Sequence, residues 1–169
     1  MDTRLALAVG LVVGLLVGAA VGAGAGTALV PAQTVSSPSF STSAGTGCVS
    51  DPATGGWVGQ VPSGETRTLP LNLTFTHDET DVTTRANLTE SSPGQYRFTV
   101  SVVSGDETKG QAPEGCTPRT EFDALLSLPG DYQTLTVVLD GTVVTRVENP
   151  EHSFASFRTL SGNYSVNVD

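Results

Sequence analysis

From Leu69 to Val168 the apolar side chains return at every second residue, a period that only a strand with one buried face can use. In LPLNLTFTH, Leu69, Leu71, Leu73 and Phe75 share one parity, while Pro70, Asn72, Thr74 and Thr76 share the other. The same step runs through Val82, Thr84, Ala86 and Leu88; Tyr96, Phe98, Val100 and Val102; Phe122, Ala124, Leu126 and Leu128; and Tyr164, Val166 and Val168. Nothing after residue 30 keeps a helical period for three turns, and the breaks carry turn chemistry: Ser92-Pro93-Gly94, Pro129-Gly130-Asp131, Asp140-Gly141 and Ser161-Gly162-Asn163. The expected fold is all-β, an antiparallel Ig-like β-sandwich of seven or eight strands.

One hairpin can be tested for register. A two-residue Asp140-Gly141 loop in a regular ladder sets Leu135 opposite Arg146 and places an arginine on the apolar face. A three-residue Leu139-Asp140-Gly141 loop with a bulge at Gly141 avoids this and aligns Leu135 and Val137 with Val143, Thr145 and Val147.

Ahead of the β region, Leu5 to Val30 holds no charged side chain. As a helix it reaches about 39 Å, beyond the roughly 30 Å hydrocarbon core. It exceeds a secretory h-region of about 7 to 15 residues, which favours a retained anchor, although the small residues around Val30-Pro31-Ala32 leave a cleaved signal peptide open. Gly10, Gly14, Gly18, Gly22 and Gly26 recur at every fourth residue and form an extended GxxxG face for a helix partner or a second copy, unless they are compositional filling. The expected organisation is an anchor (or uncleaved signal) over 1–30, a Ser/Thr/Pro-rich stalk over 31–47 and an extracellular domain over 48–169. Arg4 is the one charged residue beside Asp2 in the first thirty, a weak bias for a single-pass protein with its carboxyl-terminal domain outside the cell membrane.

The stalk reading rests on PAQTVSSPSFSTSAGTG, which offers too little apolar surface to offset ordering entropy. Cys48 follows, and Cys116 is the only other cysteine. In an oxidising location the two are expected to pair, closing a loop worth about 4 kcal/mol on the chain-entropy model. A metal site from these cysteines with His77 and His152 lacks any CxxC or HxxxH spacing.

Seventeen acidic residues against eight basic ones give a net charge of −9. Nucleic acid is excluded as a partner class, because phosphate recognition needs clustered Lys and Arg. Three sequons, Asn72-Leu73-Thr74, Asn87-Leu88-Thr89 and Asn163-Tyr164-Ser165, place their asparagines on the polar parity, where glycans could be carried. Asp78, Glu79 and Asp81 lie in one turn and are weak candidates for a Ca²⁺ or Mg²⁺ site, against the simpler reading of an acidic hairpin tip.

The order Cys48, Trp57, Cys116 resembles the immunoglobulin pattern, but Glu114 stands two residues before the second cysteine where that family places a tyrosine. More closely, GQYRFTVSVVSGD, a cysteine loop and then YQTLTVVLDGTVVTRVE resemble small haloarchaeal surface proteins with an N-terminal anchor, a Ser/Thr stalk and a β domain. That resemblance implies an architecture and a halophilic address, and it brings no functional residue. The sequence has no GxSxG, HExxH or phosphate-binding glycine loop, so no enzyme and no cofactor is expected. The expected function is a membrane-anchored extracellular non-enzymatic surface module, adhesive, structural or an accessory subunit of a membrane complex. The alternative is a secreted or anchored small-ligand or metal-ion binding protein.

Overall fold

The chain separates into two compact units, Met1–Thr34 and Val35–Asp169. The structure, a computed structural model, describes residues 37–50, 54–105, 113–150 and 154–168, so the apolar segment over 1–30 and its glycines lie outside the described residues. Among the described residues no helix is long and apolar enough to cross a membrane.

The second unit is all-β. Its strands are β1 (Ser39–Val49), β2 (Gly55–Ser63), β3 (Thr66–His77), β4 (Val82–Ser92), β5 (Gln95–Ser104), β6 (Thr117–Pro129), β7 (Thr134–Leu139), β8 (Thr142–Glu148), β9 (Ser156–Leu160) and β10 (Ser165–Val166). They form two sheets, one ordered β1-β6-β3-β2-β9 with β10 beside β3, the other β4-β5-β7-β8.

The inner faces come from the alternating residues. Leu69, Leu71, Leu73 and Phe75 of β3 and Phe122, Ala124, Leu126 and Leu128 of β6 are buried, as are Tyr96, Phe98, Val100 and Val102 of β5 and Leu135 and Val137 of β7. Each side chain of this size adds about 1.5–3 kcal/mol when taken out of water, so the faces hold the sheets together. Strand β4 contributes only partly buried Val82, Ala86 and Leu88, because it ends its sheet and has a neighbour on one side alone.

The ladders are not uniformly antiparallel: β5 pairs with β7 in parallel, and β10 runs parallel to β3. The chain leaves β5, crosses to the first sheet as β6 and returns as β7, so β6 serves as the crossover that parallel strands need. Among the described residues ten strands form instead of seven or eight, because β1, β2 and β9 lack the apolar alternation that marks the others.

The largest correction concerns the stalk. Residues 39–47, expected as flexible chain, belong to β1 and pair with β6 from Ser39↔Ser127 onward. An edge strand needs backbone hydrogen bonds more than apolar side chains, and β1 supplies just those. Its side chains stay exposed except for half-buried Val49, while Phe40 meets the ring of Phe98 edge-on at 5.4 Å and Cys48 ties its end to Cys116.

The β7–β8 hairpin reaches the favoured register by another route. Leu135 pairs with Val147 and Val137 with Thr145, as the bulged alternative required. Yet the loop is two residues long, with positive φ at both Asp140 (45°) and Gly141 (81°), and the ladder shifts between Val137 and Val138. The twist-matched tight turn is kept, and the extra residue sits inside the strand.

Candidate interaction surface

The outward face of the first sheet carries an apolar band at its centre. Pro70 of β3 pairs with Leu125 of β6, and Leu125 pairs in turn with Ser41 of β1. Trp57 of β2 lies opposite Asn72, and Phe157 of β9 opposite Gly59. The Trp57 and Phe157 rings are 5.4 Å apart and tilted by 30°, within the range of attractive aromatic pairs. Leu125 is 50% exposed and Phe157 66% exposed. A groove of about 420 Å³ runs beside Trp57 between Ser41, Pro70, Asp123 and Leu125.

Side chains pointing away from a sandwich core are normally polar, and scattered exceptions mean little. Here Trp57, Pro70, Leu125 and Phe157 lie on neighbouring strands of one face, with Val61 43% exposed further along β2. Such grouping makes this face the candidate interaction surface among the described residues. Leu125 was passed over in the sequence, although a signal was present: it is the one apolar residue out of phase in the run from Phe122 to Leu128. Trp57 and Phe157 gave no such signal, since β2 and β9 do not alternate.

No family model, no curated protein and no solved structure matches this chain.

The titratable groups inside the sandwich are consumed by structure. His77, 4% exposed at the end of β3, places Nδ1 against the carbonyl of Glu79 and Nε2 2.9 Å from Thr120 Oγ1. A carbonyl cannot donate, so Nδ1 carries the proton and Nε2 accepts from the Thr120 hydroxyl. Burial holds this imidazole below its usual range, opposed by the Glu79 carbonyl and by the Asp78 and Glu79 carboxylates. At the opposite end of β3, Arg67 is also buried and donates to the carbonyl of Pro150. Nearby, Tyr132 donates to Gln60 Oε1 at 2.6 Å, and Gln60 Nε2 donates to the carbonyl of Glu148. Burial pushes the Tyr132 phenol up to about 12, with Arg67 pulling the other way. Sequence reasoning gave these groups no such roles, since burial of one polar side chain leaves no trace in a periodic pattern.

Cys48 and Cys116 form the expected disulfide. It joins the end of β1 to the start of β6 within one sheet, and Trp57 lies on the outward face, so the immunoglobulin arrangement of a cross-sheet bridge against a buried tryptophan is absent. Asp78, Glu79 and Asp81 are not brought together as a metal centre: among the described residues no group of three or more acidic, histidine or cysteine side chains is placed to hold an ion. Asp78 accepts the backbone N–H of Val168, Glu79 accepts the Ser104 hydroxyl, and the Asp81 carbonyl accepts the N–H of Gly105. The turn thereby fixes the crossing from β3 to β4.

The sequons separate. Asn87, on edge strand β4, and Asn163, in the loop before β10, are exposed. Asn72 is 9% exposed, and its amide nitrogen donates to Asp123 at 2.9 Å and to Glu121 at 3.3 Å. Asn72 does lie on the polar parity, but β3 is an inner strand, and the amide nitrogen that would carry a glycan is engaged by the carboxylates of the neighbouring strand β6.

Proposed function

We infer that this protein is a membrane-anchored, non-enzymatic surface module that works by adhesion or as a structural subunit. The observation that carries the reading is the band of Trp57, Pro70, Leu125 and Phe157 on the outward face of the first sheet. A flat aromatic-apolar face set in polar surroundings suits a protein or cell-surface partner, where aromatic anchors dominate binding energy. Supporting the address are the uncharged run from Leu5 to Val30, long enough to span a bilayer, and the disulfide, which persists outside the reducing cytosol. The acidic excess fits a halophilic setting, where surface carboxylates keep the domain hydrated. Gly10, Gly14, Gly18, Gly22 and Gly26 give the anchor a face for a helix partner.

Two measurements test this. Alkaline carbonate leaves an anchored chain in the membrane, and external protease on intact cells removes the domain; release of the whole chain by carbonate overturns the anchor. Cells displaying Trp57→Ser with Phe157→Ser lose aggregation or partner capture while the melting temperature is kept, and unchanged adhesion overturns the role of the band.

A second reading, a binder of a small ligand, draws on a cleft of about 480 Å³ between β2, β8 and β9, where Arg146 and Arg158 offer charge to an anion beside Glu148 and Phe157. Calorimetric titration with small dicarboxylates tests it, and absence of heat removes it.

A further inference from the structure

Among the described residues, and apart from the two-residue β10 beside β3, four strands end the two sheets: β1 and β9 in the first, β4 and β8 in the second. An edge strand offers unpaired N–H and C=O groups to any other strand, and folds that stay monomeric blunt such edges with charge, bulges or shortness. Three of the four are blunted. Strand β9 is five residues long and carries Arg158, whose guanidinium donates to Thr145 Oγ1 at 2.5 Å and to the Arg146 carbonyl at 2.9 Å, latching β9 to β8. Strand β8 carries Arg146 and Glu148 and is bulged opposite Val137 and Val138. Strand β4 carries Arg85 and Glu90, with its ladder broken between Glu90 and Ser92.

Strand β1 has none of these devices. Its eleven residues, SFSTSAGTGCV, contain no charge and no proline, and they stay in step with β6 at every position from Ser39↔Ser127 to Val49↔Thr117. In an antiparallel ladder only alternate residues turn their N–H and C=O toward one neighbour, so half of the β1 backbone groups point away from β6. Phe40, whose ring touches Phe98, is left 40% exposed on the same flank.

We propose that β1 is a pairing edge whose partner is β1 of a second copy of this chain, aligned antiparallel about a two-fold axis near Ser43. Identical strands related in this way present matching donors and acceptors, the self-complementarity that an isologous contact requires. On the outward row Ser39, Ser41, Ser43, Gly45 and Gly47 meet their counterparts without bulk, and on the inner row Phe40 falls opposite Thr46, which covers its exposed ring. The strand adds no charge to the contact, which matters for two chains of net charge −9. Antiparallel addition within a sheet keeps each face on its own side, so the two bands around Trp57 end on one surface and bind bivalently. The edge argument does not depend on what the band binds.

Amide hydrogen exchange on the full chain in detergent micelles tests this, because association through the apolar segment alone leaves the outward β1 amides fast. The expected result is that the outward amides within 39–47 slow by about tenfold or more as protein concentration rises, as pairing removes the open state. Ser43→Lys alone and Ser43→Glu alone put like charges at the two-fold and abolish that protection, while an equal mixture of the two variants restores it. Added salt strengthens the wild-type contact by screening the net charge. A bridged Cys48–Cys116 and unchanged β6 protection certify that each variant is folded. Outward amides that exchange at one fast rate at every concentration overturn the proposal. Protection that survives in both single variants overturns it too, since it assigns the edge to a different occupant.

Discussion

His77 on β3 and Thr120 on β6 meet through a 2.9 Å hydrogen bond inside the sandwich, and the Thr120 hydroxyl lies a further 2.8 Å from that of Thr46 on β1. One hydrogen-bonded line thus crosses three neighbouring strands of the first sheet and joins the edge strand to the core.

Acidification should weaken the fold through His77. Its folded pKa lies below the usual 6.5, so the unfolded chain takes up a proton first and stability falls as pH drops through about 6.5. Above that value the contribution is complete. Denaturation midpoints between about pH 7.5 and 5.5 should decline in the wild type and stay flatter in His77→Gln. Parallel curves would mean that His77 does not carry the effect.

Near the other end of β3, Tyr132 makes the largest contribution to the alkaline limb, to which the raised phenols of Tyr96 and Tyr164 add with the same sign. An unfolded phenol ionises near its usual 10, whereas folded Tyr132 holds its proton up to about 12, so stability declines as pH rises from the first value toward the second. The loss through Tyr132 is at most about 1.4 kcal/mol per pH unit. Tyr132→Phe should flatten this decline and cost about 1–3 kcal/mol at neutral pH, because Gln60 Oε1 loses its buried donor. Spectroscopic titration of tyrosinate against urea unfolding measures both.

Removing the bridge with Cys48→Ser and Cys116→Ser should cost about 4 kcal/mol, the chain-entropy value for a loop spanning 68 residues. The loss should be read first at the carboxyl end of β1, where amide exchange near Thr46 and Gly47 accelerates before that of β3. Uniform acceleration would place the effect in global stability alone.

Glycopeptide mass spectrometry should find Asn72 unmodified in the folded protein, with Asn87 and Asn163 the only sequons open to occupancy. Asn72→Ala should cost about 1–2 kcal/mol through its lost bonds to Glu121 and Asp123, and alanine at the other two about 0.5 kcal/mol or less. A glycan on Asn72 in material with native stability would contradict the burial.

Gly56 of β2 has φ +149°, and a Cβ there would sit 2.1 Å from the Asn72 carbonyl oxygen. Gly56→Ala should destabilise by about 2 kcal/mol or more, since the obstacle is backbone of an inner strand. A calorimetric melt within a degree or two of wild type would show that β2 can move away.

The residues that make the core were legible in the chain. Period-two alternation named the buried faces of β3, β5 and β6, and the turn residues named the breaks, because both depend on neighbours along the sequence. The lone pair of cysteines pointed to the bridge for a similar reason: each had one available partner. The register of the β7–β8 hairpin was legible too, because its strands are neighbours in sequence, but pairing between distant strands was not. Alternation says which side of a strand is buried and nothing of which distant strand lies beside it, so the parallel β5–β7 pair, the inner position of Asn72 and the place of the β7–β8 bulge, within the strand and not at Gly141, were decided by the packed sheets. The same holds for β1, where SFSTSAGTG reads as stalk by composition and becomes ordered because β6 supplies a template of hydrogen bonds. Sequence alone thus determined which side chains must leave water; the tertiary structure decided which backbone groups would meet, since those partners lie tens of residues apart and carry no local signal.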